Sequence, residues 1–554
     1  MAKKIFIGVA WPYVNGALHV GHLAGYMLPA DIFARYCRFK GYETVMVSGA
    51  DCHGSPITIE AEKKGITPEK LIAIYYPKIL SLIKKYNISF DIFTSTTTTI
   101  HKKNVQRFFI NLLRNGYIFK RDSYQFFSVT KKKFLPDRYI EGQCKYCQAL
   151  QQRADQCDVC GRLLEPQDLL NPYDKLTKEA IELRKTEHYA FDLGQFESEL
   201  KKFIQQANHW RKWVKRESLG FLKEGLKARD ITRDILWGVK LPVKDIPKDL
   251  LLKNISQKRF YVWFEAVIGY VSATMELSQY IKNDKNYWQE IWFNKDWQHY
   301  YFMGKDNLIF HTILWPAELL GQRENYNLPF FPAVNNFLLF NEQKFSKSRG
   351  VMIDALSLAK RFDPDLIRFY ITAIMPENKD TNFQWENLEK VINTELVNKI
   401  SNFIHRVAVF YLKNFDNSFT NNDIENEIIK NIKRFYASMD FNLEHCKFLN
   451  YYKNLIDYID FANNYLTQKA PWHLIHNERH KALKIIVNAL QLIYSLRLPL
   501  ALIMPTTEEK ITKMFGFDKI SVQVNKDNFQ FEKIPYCKFK NKNINPLFAK
   551  VNLE

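Results

Sequence analysis

The sequence contains no run approaching the roughly 20 consecutive apolar residues of a membrane span. The nearest, Leu498 to Met504, is interrupted by Pro499 and closed by Pro505. The start imitates a leader only in part: Lys3 and Lys4 precede a short apolar stretch, Ile5 to Ala10, but Trp11-Pro12 ends it and no small-residue cleavage pattern follows. A buried first strand is the expectation. Cysteine is scarce, 8 in 554 residues, which excludes a secreted disulfide scaffold and points to a reducing cytoplasm. There is no fixed-period repeat and no low-complexity tail. Acidic residues fall short of basic ones, 59 against 79, leaving a net charge of +20. A field of that sign favours a large polyanion such as nucleic acid, although richness in Lys and Asn can also reflect codon bias.

What remains is an ordinary globular composition, 46% hydrophobic and 25% charged. A chain of 554 residues exceeds what one core can organise, so about three or four domains are expected. The opening reads strand (Lys4 to Ala10), turn, helix (Leu18 to Lys40), strand (Thr44 to Ser48), helix (Ile57 to Lys64). Such alternation predicts a parallel sheet covered by helices. From about Tyr117 the pattern breaks into short aromatic runs, a cysteine cluster and turn residues, as an insertion would. Strand and helix alternation resumes over Arg259 to Met275 and His299 to Leu320, so the sheet is expected to be split. Beyond Asn393, apolar residues recur at helical spacing over Val391 to Tyr411, Ile428 to Met439, Phe448 to Leu466 and Ala482 to Ala501, which predicts a helical bundle.

Three motifs carry chemistry. In Pro12-Tyr-Val-Asn-Gly-Ala-Leu-His19-Val-Gly-His22, two imidazoles three residues apart open a helix, where dipole and free N–H groups favour phosphate. Gly21 between them leaves room for a base or ribose. In Lys344-Phe-Ser346-Lys347-Ser348-Arg-Gly350, two lysines interleaved with hydroxyls can meet triphosphate oxygens as charge develops. Taken alone, a charge run of this size fits solvated surface as well as it fits a phosphate site. Cys144-x2-Cys147-x9-Cys157-x2-Cys160 sets four thiolates at a spacing that suits one tetrahedral Zn2+, and with all four positions filled by protein a structural site is favoured. Cys37, Cys52, Cys446 and Cys537 stand alone and read as small buried residues.

His19-Val-Gly-His22 resembles the HIGH signature, and Lys344-Phe-Ser-Lys-Ser348 the KMSKS signature, of class I aminoacyl-tRNA synthetases. With Pro-Tyr-Val-Asn-Gly, the cysteine knuckle, Trp263-Phe-Glu-Ala-Val-Ile-Gly-Tyr270, Gly304-Lys-Asp-Asn-Leu-Ile-Phe-His311 and Ala470-Pro-Trp472, nearly the whole chain is similar to the methionyl-tRNA synthetase family. The resemblance implies an α/β fold: a Rossmann-like parallel-sheet catalytic domain split by a zinc-bearing insertion, then an all-α anticodon-binding bundle. The implied divisions are 1–116 and 251–328 for the two catalytic halves, 117–250 for the insertion, 329–392 for the lysine-loop connecting domain, and 393–554 for the bundle.

It further implies methionine activation by MgATP to methionyl adenylate and pyrophosphate, then transfer to tRNA(Met). His19, Gly21, His22, Gly304, Asp306, Lys344, Ser346, Lys347 and Ser348 would meet ATP, with His19, His22, Lys344 and Lys347 catalytic. Trp11, Tyr13, Asp51, Trp263, Ala266, Tyr270, Asn307 and His311 would hold methionine, Asp51 through its ammonium group, the Tyr13 hydroxyl and His311 through its sulfur. Asn402, Arg406 and Trp472 would read the anticodon. A single zinc, a monomer and a cytoplasmic location complete the expectation. Three departures touch pocket shape: Val267 replaces a proline common in the family, Asn307 an aliphatic residue and Phe345 a methionine. Synthetases for Ile, Val or Leu share both ATP signatures but resemble one another in a large editing domain, for which the insertion is too small. A noncatalytic zinc-ribbon tRNA-binding protein would need neither signature.

Overall fold

Strand β1 (Lys4–Val9) is apolar on both faces and buried from Ile5 onward, the pattern of a central parallel strand covered on two sides. The computed structural model describes residues 3–553 except 137–138, 155–156, 158, 163, 176, 345–351, 416–423, 524–528 and 540–543, with only the backbone at Lys344. Around β1 stand β2 (Glu43–Ala50), β3 (Ile92–Ser95), β4 (Trp297–Gly304) and β5 (Pro329–Asn335), in the order β5-β4-β1-β2-β3. Every pairing is parallel, and Lys4 lies opposite both Glu43 and Trp297. Strand order therefore reverses between β1 and β4, and the crevice at their carboxyl ends is where such sheets bind ligands.

The helix expected from Leu18 begins later and less regularly. Val20–His22 form a first turn, Leu23–Met27 are π-helical, and the regular helix α1 runs over Leu28–Phe39. A second π-helical stretch, Phe310–Leu314, follows β4. Widened turns of this kind re-aim side chains at functional positions, and each of these lies at the crevice. On the other side, helix α2 (Thr99–Arg114), whose N-cap Thr98 accepts from the His101 amide, packs on helix α3 (Val262–Tyr280).

The segment between α2 and α3 is the expected insertion. A long antiparallel pair, Ile118–Ser128 with Glu182–Phe191, carries a small three-stranded sheet that holds the cysteines. Phe126, Tyr139, Ile140, Leu169 and their neighbours form a small core separate from the rest of the molecule.

Helix α4 (Pro364–Ala373) precedes a short strand, Thr381–Phe383; beyond Asn393 the described residues are mainly helical as far as Phe515, as the periodicity predicts, including α5 (Asn402–Asn414) and α6 (Arg479–Ile503). By length and composition α6 could cross a membrane, which counting consecutive apolar residues did not reveal. Nearly all of its apolar window is buried inside the bundle. The four lone cysteines are buried, as expected.

Three of these units meet at one buried ion pair. Arg368 of α4 donates to Asp31 of α1 (2.7 Å), to Ile503 O and Leu502 O at the end of α6 (2.5 and 3.1 Å) and to Tyr86 O (2.9 Å). Asp31 also accepts from Arg35 Nε (2.9 Å) and from the Ser89 amide and hydroxyl (2.8 and 2.6 Å). Burial alone would raise this carboxyl, but the two guanidiniums and Ser89 hold it at about 2.

A carboxyl held below its unfolded value stabilises the fold above that value and loses the contribution as pH falls through the folded one. The window here is from about 4 down to about 2, carrying about 2 kcal/mol. Asp31→Asn is expected to cost about 3–5 kcal/mol near neutral pH, since it strands a buried guanidinium. Urea unfolding of both proteins from neutral pH down through that window checks this: equal midpoints near neutrality would sink it.

Candidate active site and metal centre

The turn leaving β1 is stitched to β2 rather than left as a free loop. The Asp51 amide donates to Pro12 O (2.9 Å) and the Val14 amide to Asp51 O (3.1 Å), so Tyr13 and Asp51 lie side by side. His19 has extended backbone and caps the following helix, so it precedes the first turn instead of lying within it. The histidine rings still meet, with centroids 3.9 Å apart. His22 Nδ1 lies 3.1 Å from the His19 amide and 3.3 Å from the His19 carbonyl, so that ring nitrogen is tied to the backbone of the capping residue. Gly21 lies half-buried between them.

Tyr26, in the π-helical stretch, is buried beside Asp306; burial first and the carboxylate second push its phenol well above the ordinary range. This brings the histidine turn against the turn after β4, where a side chain at Gly304 would stand 2.7 Å from Asp306 Oδ1. Asp306 itself is exposed.

Ser346, Lys347 and Ser348 lie outside the described residues, and Lys344 is described by its backbone alone. The flanks of this segment are anchored. Lys344 pairs with Leu339 in a short antiparallel ladder. On the far side the Ala355 amide donates to Leu18 O (2.9 Å) and the Val20 amide to Ile353 O (3.1 Å). The residues that follow the lysine motif are therefore joined to the histidine turn.

The aromatic residues converge from β1, α3 and the second π-helical stretch. Tyr270 and His311 are buried, and the Tyr270 hydroxyl lies 2.8 Å from His311 Nε2. His311 Nδ1 lies 2.9 Å from Asn307 O, a carbonyl that can only accept. Nδ1 therefore carries the proton, and Tyr270 donates to Nε2. Burial holds the His311 ring down at about 4, so it is neutral under ordinary conditions. With both nitrogens engaged, His311 has no N–H to spare for the sulfur and acts here by orienting Tyr270. Trp11 stands edge-on to Tyr270 at 6.4 Å, and Trp263 edge-on to Phe310 at 3.9 Å. Ala266, on α3, and Asn307, in the turn that follows β4, are half-buried.

One group went unread in the sequence. Glu265, fully buried on α3, lies 2.7 Å from His53 Nδ1 through one oxygen and 3.4 Å from His101 Nε2 through the other. Burial would raise this carboxyl, but the two imidazoles hold it below its usual range. The His53 amide donates to Asp51 Oδ1 (3.3 Å), so the cluster braces the Asp51 turn. No local motif announces it, because its members are far apart in sequence.

Elsewhere, Trp472 on the bundle is 36% exposed, and the Arg406 guanidinium of α5 lies 5.5 Å from its ring. Together with Phe410, Leu466 and Pro471 they line a cavity of about 440 Å3. Asn402 sits one turn earlier on α5, exposed.

The four cysteines of the insertion form a compact cluster, with their sulfurs within 4.8 Å of one another. Cys144 to Cys160 is 4.0 Å and Cys147 to Cys157 is 3.5 Å. Four sulfurs about 2.3 Å from a tetrahedral zinc would stand about 3.8 Å apart, so the donor set fits. The Cys160 amide donates to Cys157 Sγ (3.4 Å). A hydrogen bond from the Ala149 amide leads the interactions that hold Cys147 down at about 7, where thiolate is accessible.

A family model described as tRNA synthetases class I (M) matches residues 5–408. The methionine–tRNA ligase of Thermoplasma volcanium is 40% identical over 517 residues, covering 93% of this chain and 92% of its own. That of Dehalococcoides mccartyi is 39% identical over 555 residues, covering 100% and 98%. A crystal structure of Mycobacterium tuberculosis methionyl-tRNA synthetase bound by methionyl-adenylate has the same fold, with a TM-score of 0.79, 20% identity, and coverage of 99% of this chain and 100% of that one. Likeness of this extent runs through sheet, insertion and bundle alike, and the chain belongs to the methionine–tRNA ligase family of class I tRNA synthetases.

Proposed function

We propose that the chain joins L-methionine to tRNA(Met) in two steps at the crevice between β1 and β4, supplying translation initiation and elongation. The observation that carries this reading is the Tyr270–His311 pair, buried, neutral and fixed by hydrogen bonds at both imidazole nitrogens. An uncharged aromatic wall suits an unbranched thioether, which is soft and weakly accepting, while phosphate-binding groups lie within the same crevice.

In the first step a methionine carboxylate oxygen attacks the α-phosphorus of ATP in line, and the bond to pyrophosphate breaks. Mg2+ travels with ATP and neutralises part of the phosphate charge. No side-chain nucleophile is needed, because orientation and charge stabilisation carry the rate. His19, Gly21 and His22 hold the phosphates; Lys344 and Lys347, with Ser346 and Ser348, meet the departing pyrophosphate; Gly304 and Asp306 take the adenosine. Asp51 receives the methionine ammonium, and Trp11, Tyr13, Trp263, Ala266, Tyr270, Asn307 and His311 surround the side chain. In the second step the terminal ribose 2′-hydroxyl of tRNA attacks the mixed anhydride and AMP leaves.

Trp472, Arg406 and Asn402 read the anticodon. An exposed indole flanked by a guanidinium is the arrangement that stacks unpaired bases. The catalytic halves are 1–116 and 251–328, joined through the 117–250 insertion and followed by the connecting domain 329–392 and the bundle 393–554. The protein works in the cytoplasm as a monomer. One zinc, held by Cys144, Cys147, Cys157 and Cys160, supports the insertion's small core and takes no part in the reaction.

Methionine alone among Met, Ile and Val is expected to drive pyrophosphate exchange into ATP, and equal exchange with Ile or Val would refute the assignment. Trp472→Ala should lower kcat/KM for tRNA charging by about 10- to 100-fold, the worth of a stacked base, while leaving that exchange intact. Charging kinetics identical to the wild type would remove the anticodon role. Elemental analysis should count one zinc per chain, and a variant with Cys144 and Cys157 both replaced by Ser should bind none; zinc retained by that variant would place the metal elsewhere.

A further inference from the structure

Three glycines in the catalytic fold sit where backbone conformation does not call for them. Gly8 lies inside β1, Gly49 inside β2 and Gly269 in the middle of α3, none with the positive φ that favours glycine. Within a strand or helix a glycine is destabilising by roughly 0.5–1 kcal/mol relative to alanine. Space explains all three. A Cβ on Gly49 would stand 2.5 Å from Trp11 Cη2 and 2.7 Å from its Cε3. One on Gly269 would stand 2.8 Å from Trp11 Cζ2 and 3.0 Å from its Cε2. One on Gly8 would stand 2.8 Å from the Tyr301 ring and 3.1 Å from Tyr270 Cδ1. Each glycine thus makes room for a ring of one connected cluster: Trp11 edge-on to Tyr270, and Tyr270 edge-on to Tyr301.

Trp11 is the ring most constrained by this arrangement. Backbone from β2 and from α3 closes on its six-membered ring, and its remaining aromatic neighbours are Tyr270 and His101, at 6.4 and 6.3 Å. The indole keeps some exposure where β1 runs out into the crevice. A methyl group on either glycine would drive it toward that open side, because the other sides are filled.

We propose that Gly49 and Gly269 are specificity-determining positions: the space they leave seats the Trp11 indole back from the amino-acid pocket and so sets the length of side chain the pocket accepts. This rests on the methionine reading above, which methionine-dependent exchange by the wild type tests separately. The chemical class selected is an unbranched side chain of about four heavy atoms beyond Cα. Bringing the indole forward removes room at its far end and favours shorter unbranched analogues such as norvaline.

The test is amino-acid-dependent pyrophosphate exchange by Gly49→Ala, Gly269→Ala, Trp11→Leu and the Trp11→Leu/Gly269→Ala double variant. Each glycine variant is expected to raise KM for methionine by about tenfold or more, the scale of one methylene in a hydrophobic pocket, relative to its KM for norvaline. KM for ATP should stay within about twofold. Trp11→Leu in the Gly269→Ala background should recover most of the loss, because the smaller side chain no longer meets the methyl group. An unchanged methionine KM in both glycine variants, or a double variant no better than Gly269→Ala, would overturn the proposal. Should Gly269→Ala fail to fold, recovery of folding in the double variant supports the clash with Trp11, and failure of the double variant overturns it.

Discussion

The architecture hangs on the buried contact between Asp31 and Arg368. Neither charge belongs in an apolar interior unless its partners are complete. Here the guanidinium donates four hydrogen bonds, to the Asp31 carboxylate, to Tyr86 O and to the two carbonyls that end α6. Helix α1, which follows the histidine turn and its π-helical stretch, is thereby fixed against α4 and against the carboxyl end of α6. The geometry that sets active-site groups against the bundle therefore depends on a charge pair that tolerates little displacement, since loss of either member leaves the other buried and unpaired. A second cross-link of the same kind, Lys40 with Asp440, both buried, lies at the other end of α1.

The crevice divides its chemistry by charge. On the β1 side, extended backbone at His19 and the helical turn that follows bring two imidazoles together. On the α3 side the groups are aromatic and neutral, and their neutrality is enforced: burial keeps His311 unprotonated, and the one carboxylate buried in α3 near this wall, Glu265, is turned toward His53 and His101. Asp51 sits between these halves, braced through the backbone of its own turn. On the proposed reading, substrate ammonium, thioether and phosphate would be separated by arrangement of the scaffold before any ligand arrives, which is the condition for orientation to contribute to rate.

Much of this was legible in the sequence because the informative signals are local. A strand, a turn with two imidazoles and a helix lie within forty residues, and the cysteine spacing is itself a geometric statement. The resemblance supplied roles for Trp263, Tyr270 and His311 that helical periodicity alone would have assigned to packing. What escaped was set by contacts distant in sequence. Glu265 reads as one acidic residue on an apolar helix until His53 and His101 are brought to it. Gly49 and Gly269 look like weak points in a strand and a helix until the Trp11 ring is placed against them. The π-helical turns escaped too, because hydrophobic spacing does not separate a widened turn from a regular one over five residues.

The strand order also fixes when the catalytic sheet can form. β1 is made first, yet one of its two neighbours, β4, is separated from it by the whole insertion, and Lys4 waits for Trp297. Contacts so remote in sequence carry a large loop-closure cost and form late. The cysteine-bearing part of the insertion has a small core of its own, whereas Ile118, Tyr189 and Phe191 of the long strand pair belong to the main core, so during synthesis only that part can fold while the catalytic domain is still incomplete. The growing chain then exposes one apolar edge of β1 until β4 arrives. That interval is when this protein is most open to pairing with the wrong strand.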